Sequence, residues 1–168
     1  MNILSLDETA LFYKLTPNQT LCNQAMTRGV KCSKERVSVV FCVSFTGEKL
    51  SPLIIKKAVM PRSFRGLDLN KIGVKYTNTF KSWMTFLSLS RVLEGPQQIN
   101  GLTKKSYCWL VMHPQNIMDE ELTNIKVKFL PKNTTSVLQS LDQGIIRSFK
   151  AHYEKAFINN LISTHQKQ

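Results

Sequence analysis

The chain has 168 residues, enough for one domain with a hydrophobic core, and its hydrophobic fraction of 42% is ordinary for a globular protein. Lys+Arg 23 against Asp+Glu 11 gives a formal net charge of +12, which favours an anionic partner, nucleic acid first. No run approaches the roughly 18 apolar residues of a membrane span, the acidic start "MNILSLDET" is not a secretion signal, and the scattered Cys22, Cys32, Cys42 and Cys108 lack the spacing of a zinc site.

In chain order, "NILSLD" (2–7) reads as a short buried strand ending at Asp7. "LTPNQT" (15–20) is a turn by composition. "ERVSVVFCVSF" (35–45) is rich in β-branched and aromatic residues and predicts a second strand. "TGEK" (46–49) then serves as a hairpin connection to a partner strand at "LSPLIIKKAV" (50–59). "KSWMTFLSLSRVLEG" (81–95) predicts a helix stopped by Gly95 and Pro96. "SYCWLVM" (106–112) predicts a buried strand, and "IKVKFLP" (125–131) alternates, with Lys126 and Lys128 on one side and Val127 and Phe129 on the other. Trp83 and Trp109 are expected in the core rather than as base-stacking platforms. Lone His113 and His152 are given no metal role.

The last segment predicts a long helix, capped by Thr or Ser near 134–136. Leu138, Leu141, Ile145, Phe149, Tyr153, Phe157 and Leu161 recur along it at helical spacing. Gly144 costs such a helix about 1 kcal/mol relative to Ala and is expected to let another backbone come close. Three strands, a helix, two strands and a final helix predict an α/β fold, a mixed sheet with flanking helices, in a single domain over 1–168.

Two carboxylates stand out. Asp142 lies on or beside the apolar stripe, with Leu138 and Ile146 four residues to either side. A carboxylate there must be paired, hydrogen-bonded or bound to a cation, and Arg147 offers an ion pair. Asp7, at the expected end of a strand, raises the same issue. Mg²⁺ takes carboxylate oxygens, and two such ions about 4 Å apart clamp a phosphodiester, which calls for about three acids or more. The natural place for a third is the end of strand 106–112, but Val111, Met112 and His113 stand there, and Asp119, Glu120 and Glu121 lie beyond Pro114.

"DETALFYKLTPNQTL" (7–21), "SKERVSVVFC" (33–42), "TGEKLSPLII" (46–55), "WMT" (83–85) and "NIKVKFLPKNTTSVLQSLDQGIIRSFKAHY" (124–153) resemble the DDE superfamily transposase domain. The resemblance covers nearly the whole chain and is to the pogo/Tigger branch, which includes Tigger- and jerky-like domesticated proteins and centromere protein B. It implies a ribonuclease H-like fold, with Asp7 as first and Asp142 as third catalytic and metal-binding acid. The second acid of the pattern falls on Val111 or Met112, neither of which is acidic. Ser140 stands where the family usually has Pro. The helix-turn-helix domains that usually precede this core are expected to be absent, since the chain begins a few residues before Asp7.

The resemblance therefore implies a transposase-derived, DNA-binding core in the nucleus whose endonuclease site is vestigial, so not an enzyme. No cofactor is expected, or Mg²⁺ or Mn²⁺ if any site remains. DNA contact would be nonspecific and through phosphates, with Lys56, Lys57, Arg62 and Arg65 as one candidate cluster and Lys126, Lys128 and Lys132 as another. No membrane association is expected. The alternatives are a weak nuclease that recruits Asp119 or Glu120, and a protein-interaction module or unselected transposon relic without activity.

Overall fold

Period-two alternation at the start of the chain builds the central strand. The computed structural model describes residues 2–14, 35–93, 106–110, 125–129 and 141–165. Strand β1 (Asn2–Leu11) sends Leu4 and Leu6 to one face of the sheet and Ser5, Asp7 and Thr9 to the other, and all five are buried. β1 does not end at Asp7, as expected from the apolar run. It continues because β2 (Val37–Ser44) offers antiparallel backbone partners along its whole length, from Leu4↔Ser44 to Leu11↔Val37.

The "TGEK" connection is a hairpin, as its composition predicts. The Ser44 N–H donates to the Glu48 carbonyl at 2.8 Å, and Gly47 turns the chain at φ +90°. β3 (Leu53–Lys56) then pairs antiparallel with β2 and is shorter than the expected 50–59. Its ladder reaches Ser38↔Ile55, and β2 begins one residue away at Val37, so no β2 backbone remains beyond Lys56; on the other side Pro52 has no N–H to give a ladder.

A 3-10 turn (Arg62–Phe64), a one-turn helix α1 (Leu69–Ile72) and edge strand β4 (Lys75–Asn78), parallel to β3, follow. No sequence signal singled these out. Asp68 caps α1 by accepting from the Asn70 and Lys71 N–H groups at 3.0 and 3.3 Å, and Gly73 closes it at φ +76°. Helix α2 (Phe86–Leu93 among the described residues) starts at Phe86, not at 81, because residues 79–85 turn instead and Ser82 adopts φ +55°. Lys75 donates to the Arg91 carbonyl in the last turn of α2 at 2.8 Å, where a cation is favoured. The stop at Gly95 and Pro96 lies outside the described residues, as does the turn at 15–20.

β5 (Ser106–Leu110) runs parallel to β1 and β6 (Ile125–Phe129) parallel to β5, giving a six-stranded mixed sheet ordered β4-β3-β2-β1-β5-β6. One face carries the main core: Leu4, Leu6, Val40, Cys42, Leu53 and Ile55 meet Met84, Leu89 and Val92. The opposite face receives the C-terminal helix. Its described part comprises a π-helical turn (Leu141–Ile145) followed by α3 (Ile146–His165). Leu141 and Ile146 are buried, and the Phe149 ring meets Phe41 edge-on with centroids 4.9 Å apart. The architecture is thus mixed α/β with helices on both faces.

The apolar stripe of α3 has the spacing read from the sequence, but its burial fades along the helix. Tyr153, Phe157 and Leu161 are half-buried, and Ile158 and Ile162 are exposed. Gly144 is exposed, and a Cβ there would meet nothing within 4 Å among the described residues, so it does not serve a close backbone approach. The expected cap at 134–136 lies outside the described residues. Among the described residues no helix is long and apolar enough to cross a membrane.

Candidate functional site

Asp7 sits in the middle of β1, 7% exposed, and accepts the Glu8 N–H at 2.7 Å. Its antiparallel partner is Phe41, so both side chains leave the same face of the sheet, the face on which Phe149 of α3 packs. The π-helical turn that contains Asp142 contacts β1. The fold therefore brings the backbone segment of Asp142 onto the face that carries Asp7. A π-helical turn is itself rare and recurs at functional sites.

On the other side of β1, the parallel ladder to β5 runs from Asn2↔Ser106 to Leu6↔Leu110. Its described part reaches one position short of Asp7, and the next residue in sequence is Val111. Val111 and Met112 lie outside the described residues, as do His113, Asp119, Glu120 and Lys132. The side chains of Asp142, Lys126 and Trp109 are likewise not described. Among the described residues no group of three or more His, Cys, Asp or Glu could hold a metal ion.

Glu8 cannot join Asp7 at such a site, although the two are adjacent. Alternation sends Glu8 to the opposite face, where its Oε2 accepts the Met84 N–H at 3.1 Å just ahead of α2. Among the described residues its Oε1 is buried without a hydrogen-bond partner. Glu8 is thus a tether between β1 and the start of α2, near the end of a helix that favours negative charge. Sequence reading gave it no role; the alternation of Leu4, Leu6 and Glu8 could have assigned its face, but not its contact 76 residues away.

The first basic cluster divides. Lys56 is half-buried, donates to the Tyr13 hydroxyl at 2.7 Å and lies 4.3 Å from the Tyr13 ring centre. Tyr13 in turn donates to Glu35, which also pairs with Lys14 at 2.9 Å. The Tyr13 hydrogen bond, then Lys14, holds the Glu35 carboxyl below its ordinary range. Lys57, Arg62 and Arg65 are exposed on the segment leaving β3, and Lys128 is exposed on edge strand β6. Trp83, expected in the core, is 49% exposed; the core position is taken by its neighbour Met84.

The family model described as DDE superfamily endonuclease matches residues 34–168. The chain belongs to this DDE superfamily. Relatives of the pogo/Tigger branch extend the likeness through the N-terminal strand. The chain is 29% identical to CENP-B homolog protein 2 of Schizosaccharomyces pombe, over 96% of this chain and 33% of that protein. It is 26% identical to Tigger transposable element-derived protein 4 of Mus musculus, over 97% of this chain and 32% of the relative. It is 27% identical to ARS-binding protein 1 of Schizosaccharomyces pombe, over 98% of this chain and 33% of the relative. The DDE chain thus spans about a third of the length of the curated relatives it matches. No solved structure matches it.

Proposed function

We propose that this chain is the ribonuclease H-like core of a transposase-derived protein that holds DNA through its phosphates without cutting it. The observation that carries the reading is the position of Asp7, buried on the sheet face against which the turn bearing Asp142 packs. Three antiparallel strands (β1–β3) beside two parallel ones (β5 and β6), with helices on both faces and β4 added in parallel at the β3 edge, support a ribonuclease H-like architecture.

A pair of divalent ions at such a site clamps the attacking and leaving oxygens of a phosphodiester. Asp7 and Asp142 would hold Mg²⁺ or Mn²⁺ there. Two carboxylates leave a second ion short of anionic ligands, and the position of the middle acid carries Val111 or Met112. The site is therefore read as vestigial.

DNA as partner and the nucleus as place are supported by the +12 charge and by a relative whose name declares ARS binding. Phosphate contact assigns Lys57, Arg62, Arg65 and Lys128 to the interface; Lys126 and Lys132 remain candidates from the sequence, and Lys56 is largely engaged by Tyr13. The exposed Ile158 and Ile162 on α3 favour a protein-interaction role as the second reading.

A salt titration of duplex binding separates the two. Unrelated duplexes of equal length should bind alike, with log affinity falling linearly with log salt. Charge removal at Lys57, Arg62 or Arg65 should flatten the slope by about 1 per lost contact. Salt-independent or absent duplex binding would favour the protein-interaction role.

A further inference from the structure

The turn between β4 and α2 holds two aromatic rings out in solvent. Phe80 is 80% and Trp83 49% exposed, while Met84, next in the chain, is 1% exposed. Each ring carries a cation. The Arg36 guanidinium lies 4.7 Å from the Trp83 ring centre and the Lys57 ammonium 4.8 Å from the Phe80 ring centre. Lys81 is exposed between them.

The turn is also pinned. The Thr79 N–H donates to the Lys56 carbonyl at 3.0 Å and the Ser82 N–H to the Thr79 carbonyl at 3.1 Å. Thr79 Oγ1 donates to the Trp83 carbonyl at 3.0 Å, and Ser38 Oγ to the Ser82 carbonyl at 2.7 Å. Ser82 adopts φ +55°, a left-handed conformation that L side chains rarely take. The surrounding contacts hold this strain in place, and the outcome is a fixed display of two exposed rings.

We propose that the 79–84 turn is a stacking platform for unpaired bases of single-stranded DNA, an inference that rests on the DNA-binding reading above. A cation occupies only one face of a ring, and a base can stack on what is left open. The same cations, with Lys81, neutralise the phosphates between stacked bases. Aromatic rings interleaved with cations are the chemistry that retains single strands without reading their sequence. Duplex DNA offers these rings no free base face, so the platform adds affinity only for unpaired nucleotides.

The test compares a dT oligonucleotide of about ten residues, an abasic oligonucleotide of equal length and a duplex, by fluorescence anisotropy. The wild-type chain should bind dT at least about tenfold more tightly than the abasic strand. Phe80→Ala with Trp83→Ala should erase that preference and leave abasic and duplex affinities unchanged. A Trp109→Phe chain, with Trp83 as its sole tryptophan, should show fluorescence quenched by dT and not by the abasic strand, a readout that keeps both rings intact. Equal affinity for dT and abasic strands, or a preference that survives the double substitution, overturns the platform while leaving phosphate binding in place. No binding of any of the three overturns both.

Discussion

Asp7 and Glu8 are neighbours in sequence with separate structural tasks. Asp7 faces the C-terminal helix, whereas Glu8 ties β1 to the segment ahead of α2. Losing a carboxylate that accepts a partly buried backbone N–H costs about 1–3 kcal/mol. Glu8→Ala should therefore lower the unfolding free energy read from urea denaturation by that amount. Glu8→Gln keeps an acceptor oxygen and should cost less; equal losses for both would show that the tether is not a hydrogen bond.

Cys42 gives a second expectation at this scale. Burial, partly offset by Lys75, pushes its thiol up from 9.0 to about 12. The raised value keeps the folded thiol neutral while an unfolded one ionises. Stability from this group is therefore present below pH 9 and lost as pH rises towards 12. Peptide mapping after alkylation at about pH 9 should find Cys42 unmodified in the folded chain and modified after unfolding. Rapid labelling of the folded chain would contradict its burial.

At the scale of elements, strong local patterns were legible and partner-dependent boundaries were not. The β-branched run of β2, the "TGEK" turn and the stripe of α3 all carry their own signal. The extension of β1 past Asp7 depends on β2, and the late start of α2 depends on a turn held by Ser38, 44 residues away in sequence. α1 is only four residues long and rests on its Asp68 cap; Asp68→Ala should cost about 1 kcal/mol.

The anchorage of α3 makes a sharper prediction. Its packing is concentrated at buried Ile146 and half-buried Phe149. Phe41→Ala should destabilise by about 1–3 kcal/mol, less than a full Phe truncation because the pair is only partly buried. It should also speed hydrogen exchange across 146–165 more than across β1 and β2. Unchanged protection in α3 would mean that other contacts hold it.

For the whole molecule, the mixed α/β class followed from element order, and membership of the DDE superfamily followed from ordered motifs spread along the chain. The candidate site remains a proposal, and only its parts were legible. Asp7 and the Asp142 segment, 135 residues apart in sequence, could be paired only through the family resemblance, because no periodicity reports which sheet face a distant helix covers. The exposed Trp83 was not legible, since its apolar neighbours make it look like core.

The central claim is that this DDE core keeps the frame of a metal-dependent nuclease without its cutting activity. The most direct measurement is strand cleavage of plasmid DNA by the purified chain with Mg²⁺ or Mn²⁺, beside the Asp7→Ala variant. The wild-type chain is predicted to nick no faster than the variant or a metal-free control. Metal-dependent nicking by the wild-type chain that Asp7→Ala abolishes would contradict the account.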